Sequence, residues 1–400
     1  MLPKYLTRTI IVLSLVSMFN DVSSEMLIPV MPVYLSAIGF SVFWIGLLEG
    51  AAEATAGLSK IYFGRLSDKT GRRMPFVQLG YFLSALAKPI IGLFQNAMWI
   101  FSARTADRLG KGIRTAARDA LLSDETDAKN KGAVFGFHRM FDTIGATIGP
   151  VLAMVFLYFY PAHYKELFLL AAIPSFVSVG LTFFIHEKNK SNVSLSSSKT
   201  KTKKPSLASQ FFYWKNSPVE FRKLVIGLLL FGLVNSSDIF LLLKSKMILH
   251  DDYKVLALYI FYNLVYASVS FPLGKLADKI GLKKMFVFGL IIFSVVYSGM
   301  SFSTEVWQIC LLFILYGIFN AATEGISKAL ISNLVPKTET ATAIGFYAGW
   351  NSICALFASV FAGFLWYQLN SPQATFLVTG SVTMMIAIYL STIKIGEKKI

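Results

Sequence analysis

Hydrophobic positions run along this chain in long blocks, not in the alternation or narrow stripes of a soluble fold. Six blocks lie at about 9–34, 42–63, 74–95, 97–122, 133–158 and 165–186. After a polar interval, six more lie at about 222–244, 254–276, 284–303, 306–333, 340–367 and 373–394. Each is near the ~20 residues that a helix needs to cross bilayer hydrocarbon. The pattern predicts an all-α integral membrane protein with twelve transmembrane helices. It divides the chain into six-helix units at 1–186 and 222–400, joined by a linker at 187–221. An even number of crossings puts both ends on one side. The first block follows Lys4 and Arg8, as a signal peptide would, but no small-residue cleavage site comes after it. With Asp21, Glu25, Pro29 and Pro32 inside it, it reads as a retained, interrupted first helix.

The polar intervals are patterned too. Gly64-Arg65-Leu66-Ser67-Asp68-Lys69-Thr70-Gly71-Arg72-Arg73 lies between the second and third blocks, and Gly274-Lys275-Leu276-Ala277-Asp278-Lys279-Ile280-Gly281 echoes it about 210 positions later. Phe135-Gly136-Phe137 and Ile344-Gly345-Phe346 repeat at nearly the same offset. Two landmarks at one offset point to duplication of the whole chain. Paired glycines permit a tight turn and close helix approach.

Composition agrees with a bilayer as the solvent. Of 400 residues, 55% are hydrophobic and only 15% charged, less charge than a soluble domain carries. The net charge of +16 would point to nucleic acid in a soluble protein. Here the basic residues fall in particular loops, with no interleaved aromatics, and they read as topology signals that meet anionic headgroups. Arg72, Arg73, Lys129, Lys131, Lys283, Lys284, Lys394, Lys398 and Lys399 all fall on the side of the termini. The loops near Gly39, Asn96 and Asn370 hold no Lys or Arg, although Lys165 and the stretch 244–254 are exceptions. The positive-inside rule then makes both termini cytoplasmic, in the inner membrane if the cell is bacterial. The linker, with Ser196, Ser197, Ser198, Lys199, Lys201, Lys203 and Lys204, reads as a solvated tether. Phe211-Phe212-Tyr213-Trp214 reads as an interfacial anchor after it. Cys310, Cys354 and four scattered histidines fit no metal spacing, and no cofactor or nucleotide-binding loop is expected.

Over essentially its whole length the chain resembles the major facilitator superfamily of secondary transporters. The signature between the second and third helices is met by Gly64, Asp68, Gly71, Arg72 and Arg73, with Lys69 where Arg is commoner. The fourth-helix signature is met by Arg108-Leu109-Gly110-Lys111-Gly112 and departs at Arg114, where a second glycine is usual. The fifth-helix signature of the antiporter branches is met by Gly136, Gly145, Gly149 and Pro150, its closing small pair half kept as Ala153-Met154. The resemblance implies two pseudo-symmetric six-helix bundles, alternating access, and a substrate bound near the midplane. It also implies a conformational role for Gly64, Asp68, Gly71, Arg72, Arg73, Gly274, Asp278 and Gly281. Asp68 would cap a neighbouring helix end in one state, with Arg72 or Arg73 paired to an acid such as Asp124 or Asp127.

Ionisable residues inside apolar spans are costly and face a cavity or one another. In the fourth helix Arg104, Asp107, Arg108, Lys111, Arg114, Arg118 and Asp119 fall within an arc of about 140°. This stripe reads either as a salt-bridge network or as recognition of an anionic or polar solute. Arg118 and Asp119 lie near the end of the span, where they could snorkel or pair. The substrate candidates are Arg108, Arg104, Lys111 and Arg114, with Trp350 and Asn351 of an aromatic wall that also includes Tyr259, Tyr262, Asn263, Tyr266 and Tyr347. Asp21 and Glu25, and Glu49 and Glu53, stand four apart on their helices. Burial raises and nearby Arg lowers a carboxylate's pKa, so such acids can load and release protons. Glu25 and Glu53, the deeper members, lead the proton-coupling candidates. Arg139 and Asp142 could pair locally, and Glu324 is expected to pair with Lys328 four residues on.

The resulting expectation is a monomeric transporter in the lipid bilayer that exports a small organic solute, anionic or zwitterionic, in exchange for protons. Uptake of an anionic metabolite or siderophore-like metal chelate is the rival, and a non-transporting membrane sensor a further alternative. Neither a catalytic constellation nor a signalling domain is expected.

Overall fold

A computed structural model of the protein describes residues 3–28, 30–31, 34–35, 38–40, 42–93, 96–185, 187, 213–236, 238–369 and 371–393; several side chains in 42–50 are outside this set. The described residues form thirteen α-helices and two 3-10 turns, with no strand among them. The first half holds α1 (Arg8–Leu27), α2 (Val42–Thr70), α3 (Met74–Leu93), α4 (Ala97–Asp124), α5 (Lys131–Phe159) and α6 (Tyr164–Thr182). The second holds α7 (Val219–Gly232), α8 (Ile239–Leu249), α9 (Asp252–Ile280), α10 (Leu282–Phe302), α11 (Val306–Leu334), α12 (Thr340–Leu369) and α13 (Pro372–Thr392). With α7 and α8 as one interrupted crossing, these are twelve membrane spans in two pseudo-symmetric six-helix bundles. Among the described residues nine helices are individually long and apolar enough to cross. The other three spans are the polar α2 and α4 and the divided α7/α8. Large apolar side chains such as Leu79, Phe176, Phe288 and Phe361 are exposed outwards, as a lipid-facing surface requires.

The first block is interrupted, as expected: α1 ends at Leu27, and helical bonding resumes beyond it, Tyr34 N donating to Val30 O at 2.9 Å. Two other boundaries differ from expectation. The expected seventh helix breaks at 233–238, where Asn235, Ser236 and Asp238 interrupt the apolar run. Irregular backbone at membrane depth is tolerated where it lines a polar cavity, and Asp238 lines one. The repeated glycine motif is mostly helix: α2 runs on to Thr70 and α9 to Ile280. Only Gly71 (φ 67°) and Gly281 (φ 104°) take the left-handed turn.

Within the first half α1 packs on α5 and α6, and α4 on α2 and α3; within the second α10 packs on α11 and α13, and α9 on α11. The halves meet along two seams, α2 on α12 and α9 on α5. Glycine makes both close. A Cβ on Gly64 would strike Ala341 O, and one on Gly274 would strike Gly132 O. Helix α1 begins, and α13 ends, at the end of the bundle that carries both motifs, called the basic end below. Thr7 Oγ1 there reaches Glu125 after α4 at 3.5 Å, and Lys283 Nζ donates to Ser391 O at 2.8 Å.

Most of the linker, 188–212, lies outside the described residues, as do Phe211 and Phe212. Tyr213 and Trp214 are half-buried and pack on Phe346 of α12, Trp214 stacked at 5.7 Å. At the other flank the Glu187 carboxylate accepts from Arg73 N at 2.8 Å and Met74 N at 3.1 Å, capping α3.

Candidate functional site

A polar cavity of about 440 Å³ lies between the halves. From the first half, α1 contributes Asp21 and Glu25, α2 Lys60, α4 Lys111, Arg114 and Arg118, and α5 Arg139 and Asp142. From the second come Asp238, the α9 residues Tyr259, Tyr262, Asn263 and Tyr266, the α11 residues Glu324 and Lys328, and Tyr347, Asn351 and Ser352 of α12.

The α1 acids are seated by α5. At Gly145 a Cβ would meet Met18 O and stand 3.1 Å from Asp21 Cβ; at Gly149 it would stand 3.0 Å from Glu25 Cβ. Two glycines of the fifth-helix signature therefore let α1 approach where its carboxylates face the cavity. Asn20 Nδ2 donates to Asp21 Oδ1 at 3.2 Å, and Glu25 forms no ion pair among the described residues.

The fourth-helix stripe is divided. Arg108 and Glu53 pair at 3.1 Å, Arg104 and Asp107 at 3.5 Å, and none of the four lines the cavity. Arg114 lines it but is held from behind, donating to Ser84 Oγ at 2.7 Å with its guanidinium 4.6 Å over the Tyr81 ring. Lys111 is exposed to the cavity. The side chain of Glu49 lies outside the described residues. On α12, Asn351 lines the cavity, whereas Trp350 packs beside Phe346 and does not.

Other charges pair across the halves, against the local pairing expected from spacing. Lys328 reaches Asp119 of α4 at 2.9 Å, and Glu324 pairs instead with Arg139 of α5. Tyr266 OH donates to Glu324 Oε2 at 2.6 Å. Arg139 also stands 3.7 Å from Asp142. Arg118 and Asp119 do not snorkel: both are buried and paired at 2.9 Å. Asp119 is 0% exposed and serves both cations, one from each half.

The basic end is closed by mirrored contacts. Asp68 of α2 accepts from Thr342 N at 2.5 Å and Thr342 Oγ1 at 2.7 Å, at the N-terminus of α12. Asp278 of α9 accepts from Gly132 N at 2.8 Å and Ala133 N at 2.7 Å, at the N-terminus of α5. Each repeat thus caps a helix of the opposite half, where backbone N–H groups and the helix dipole favour a carboxylate. Arg73 pairs with Asp68 and lies 3.5 Å from Asp124, and it donates to Lys337 O at 3.2 Å; Arg72 is exposed. Lys131 Nζ adds a bond to Ser332 O at 2.8 Å.

Sequence reasoning passed over Lys60, Lys88 and His138. Lys60 lines the cavity and donates to Ser352 Oγ of the other half at 3.3 Å. Lys88 is buried and donates to Ser175 Oγ at 2.9 Å. His138 is buried 3.8 Å from Asp142, its ring nitrogens without a hydrogen bond. Each is an ionisable residue in an apolar block, the same signal that singled out Asp21 and Glu25.

The sequence pattern of the Major Facilitator Superfamily matches residues 13–264 and again residues 255–399. The uncharacterized MFS-type transporter MJ1317 of Methanocaldococcus jannaschii is 34% identical over 392 residues, 96% of this chain and 94% of that protein. The multidrug resistance protein MdtG of Salmonella typhimurium is 25% identical over 386 residues, 91% of this chain and 90% of that one. The crystal structure of the transporter FucP in its outward conformation is 13% identical and superposes with a TM-score of 0.78, covering 97% of this chain and 99% of that one. The architecture and these matches lead to one assignment: the chain belongs to the Major Facilitator Superfamily of secondary transporters.

Proposed function

We propose that this transporter exports a small organic solute in exchange for protons, by alternating access of the central cavity. The observation that carries the reading is the pair Asp21 and Glu25, two carboxylates on one face of α1 that line the cavity without a cationic partner among the described residues. A carboxylate free of a fixed counter-ion can take up a proton in one state and give it to the other side in the next. Glu53, occupied by Arg108, is a weaker candidate than Glu25. MdtG carries the name of a multidrug resistance protein, and that relative supports export.

The Lys and Arg bias of the basic end supports a cytoplasmic position for it and for both termini. The closed seams are then the state in which the cytoplasmic path is shut. Opening would break the Asp68 and Asp278 caps and the Arg73 and Lys328 bridges. Residues 1–186 and 222–400 would move as the two units, with 187–221 as the tether. One chain encloses the cavity, and we propose a working monomer.

The test is flux in inverted vesicles under an imposed pH gradient, with a panel of anionic, zwitterionic and cationic solutes. Proton-driven accumulation that is lost in Glu25→Gln or Asp21→Asn is the expected result. Flux indifferent to the gradient overturns coupling to protons. Flux that runs only towards the cytoplasm replaces export with uptake.

A further inference from the structure

Sorting the charges of the cavity by partner leaves a short remainder. Arg139 is taken by Glu324, Lys328 and Arg118 by Asp119, and Arg114 by Ser84 and the Tyr81 ring. Asp142 faces Arg139 and His138, and Asp238 accepts from Tyr316 OH at 2.6 Å. Arg114 and Asp238 thus have neutral partners only, and four further charged groups of the cavity have no ion pair among the described residues. They are Asp21 and Glu25 on α1, Lys60 on α2 and Lys111 on α4.

The two lysines are neighbours by construction. Helices α2 and α4 cross backbone to backbone at Gly112, where a Cβ would stand 2.9 Å from Ala56 O and 3.3 Å from Lys60 N. That crossing sets Lys60 and Lys111 on one wall of the cavity, where two like charges repel. The Lys60 ammonium has only the Ser352 hydroxyl as partner, and the Lys111 ammonium forms no hydrogen bond or ion pair among the described residues. Glu53 acts on both lysines, and Asp21 and Glu25 act on Lys111, all from beyond ion-pair reach, and Glu53 is itself paired with Arg108. Two ammonium groups on one wall of a cavity at membrane depth are unfavourable without an anion in direct contact with them.

We infer that Lys60 and Lys111 form an oxyanion subsite, and that the transported solute is a small zwitterion. Its carboxylate or phosphate bridges the two ammonium groups, and its cationic group lies on Asp21 and Glu25. This rests on the exchange reading and deepens it. A solute cation and a proton compete for the same carboxylates, which is what exchange requires, while the lysine pair admits only solutes that also carry an anion. A cavity of about 440 Å³ lies at the small end of ligand sites, which suits a compact solute. Ser352 carries the subsite across to the second half, so a bound anion touches both units.

The experiment is thermal unfolding of the purified full-length protein with matched probes. One set is 4-aminobutanoate, butanoate, butylamine and butanamide; the other is 2-aminoethyl phosphate against ethyl phosphate. A zwitterion is expected to stabilise the wild type at concentrations at least tenfold below those of its matched anion, cation or neutral amide. Lys60→Gln and Lys111→Gln should each abolish that advantage. Both variants should melt, when empty, at or above the wild-type temperature, because each removes one of two repelling charges. Zwitterions no better than their matched probes overturn the inference. So does an empty variant that melts several degrees lower, since the lysines would then be structural. Vesicle flux separates this outcome from the exchange reading. Proton-driven flux of a solute lacking either charge removes the subsite and keeps exchange. Zwitterion binding at the lysines without proton-driven flux removes exchange and keeps the subsite.

Discussion

Asp119 has no access to water and holds two cations, Arg118 beside it and Lys328 from the opposite half. Removing one member of a buried ionic group is costly because it strands the others; ~3–5 kcal/mol is typical. The three members are not equivalent, however. Asp119→Asn strands both cations and should lower the unfolding temperature strongly. Lys328→Gln leaves Asp119 neutralised by Arg118, so it should cost much less stability while loosening the contact between halves. Thermal unfolding in detergent ranks the two; equal losses would contradict this division of roles. That buried charge matters in this chain is legible in the sequence, because a charge in an apolar block is expensive wherever it points. Its partner is not legible. Glu324 and Lys328, one turn apart, look like a local pair, yet each reaches into the first half. Spacing along one helix fixes which residues share a face but not what the face meets.

Helix α5 makes close contacts in both halves, and in the proposed cycle one is fixed and the other breaks. Gly145 and Gly149 let it lie against α1 within its own half, and Gly136 lets it lie against Ser270 of α9 in the other. Overpacking a tight contact costs roughly 1–3 kcal/mol, which is about five- to a hundred-fold in an equilibrium. Gly145→Val should spend that cost on folding and on displacing Asp21, lowering both stability and transport. Gly136→Val should spend it on the seam, favouring the state in which α5 and α9 part at the basic end. Spin labels at the exposed positions Lys129 and Lys279, in a background free of Cys310 and Cys354, read the seam directly. The longer distance should gain population in Gly136→Val and not in Gly145→Val. Element existence was readable from hydropathy, but element ends were less so. Hydropathy marks where the bilayer stops, while α2 continues to Thr70 because residues 65–70 hold no Gly or Pro to end a helix in water. The break before α8 was signalled only by Asn235, Ser236 and Asp238, which an apolar average conceals.

At the scale of the molecule the duplication fixes the logic of the closed end. The repeat offset shows in the sequence that Asp68 and Asp278 are equivalent positions. It does not show what either one touches, because the contacts run between halves related by the pseudo-two-fold. In the fold each Asp caps the helix equivalent to the one the other caps, α12 and α5. In the proposed cycle both caps exist only while the basic end is shut, so both would bias the same two-state equilibrium. A carboxylate at a helix N-terminus contributes up to ~2 kcal/mol in part-buried settings and ~0.3–1 kcal/mol when exposed. Asp68→Asn and Asp278→Asn should each move the equilibrium towards opening by about 1 kcal/mol, roughly five-fold. Asp68 also holds Arg73, so its variant should show the larger shift. The caps lie on separate seams and share no partner among the described residues, so the double variant should show the sum, about 2 kcal/mol. Label distances across each seam measure all three variants. A sum recovered on both seams means that the halves move as rigid units about one axis. If each substitution opened only its own seam, the end would be two independent latches, and the duplicated motif would not act as one gate.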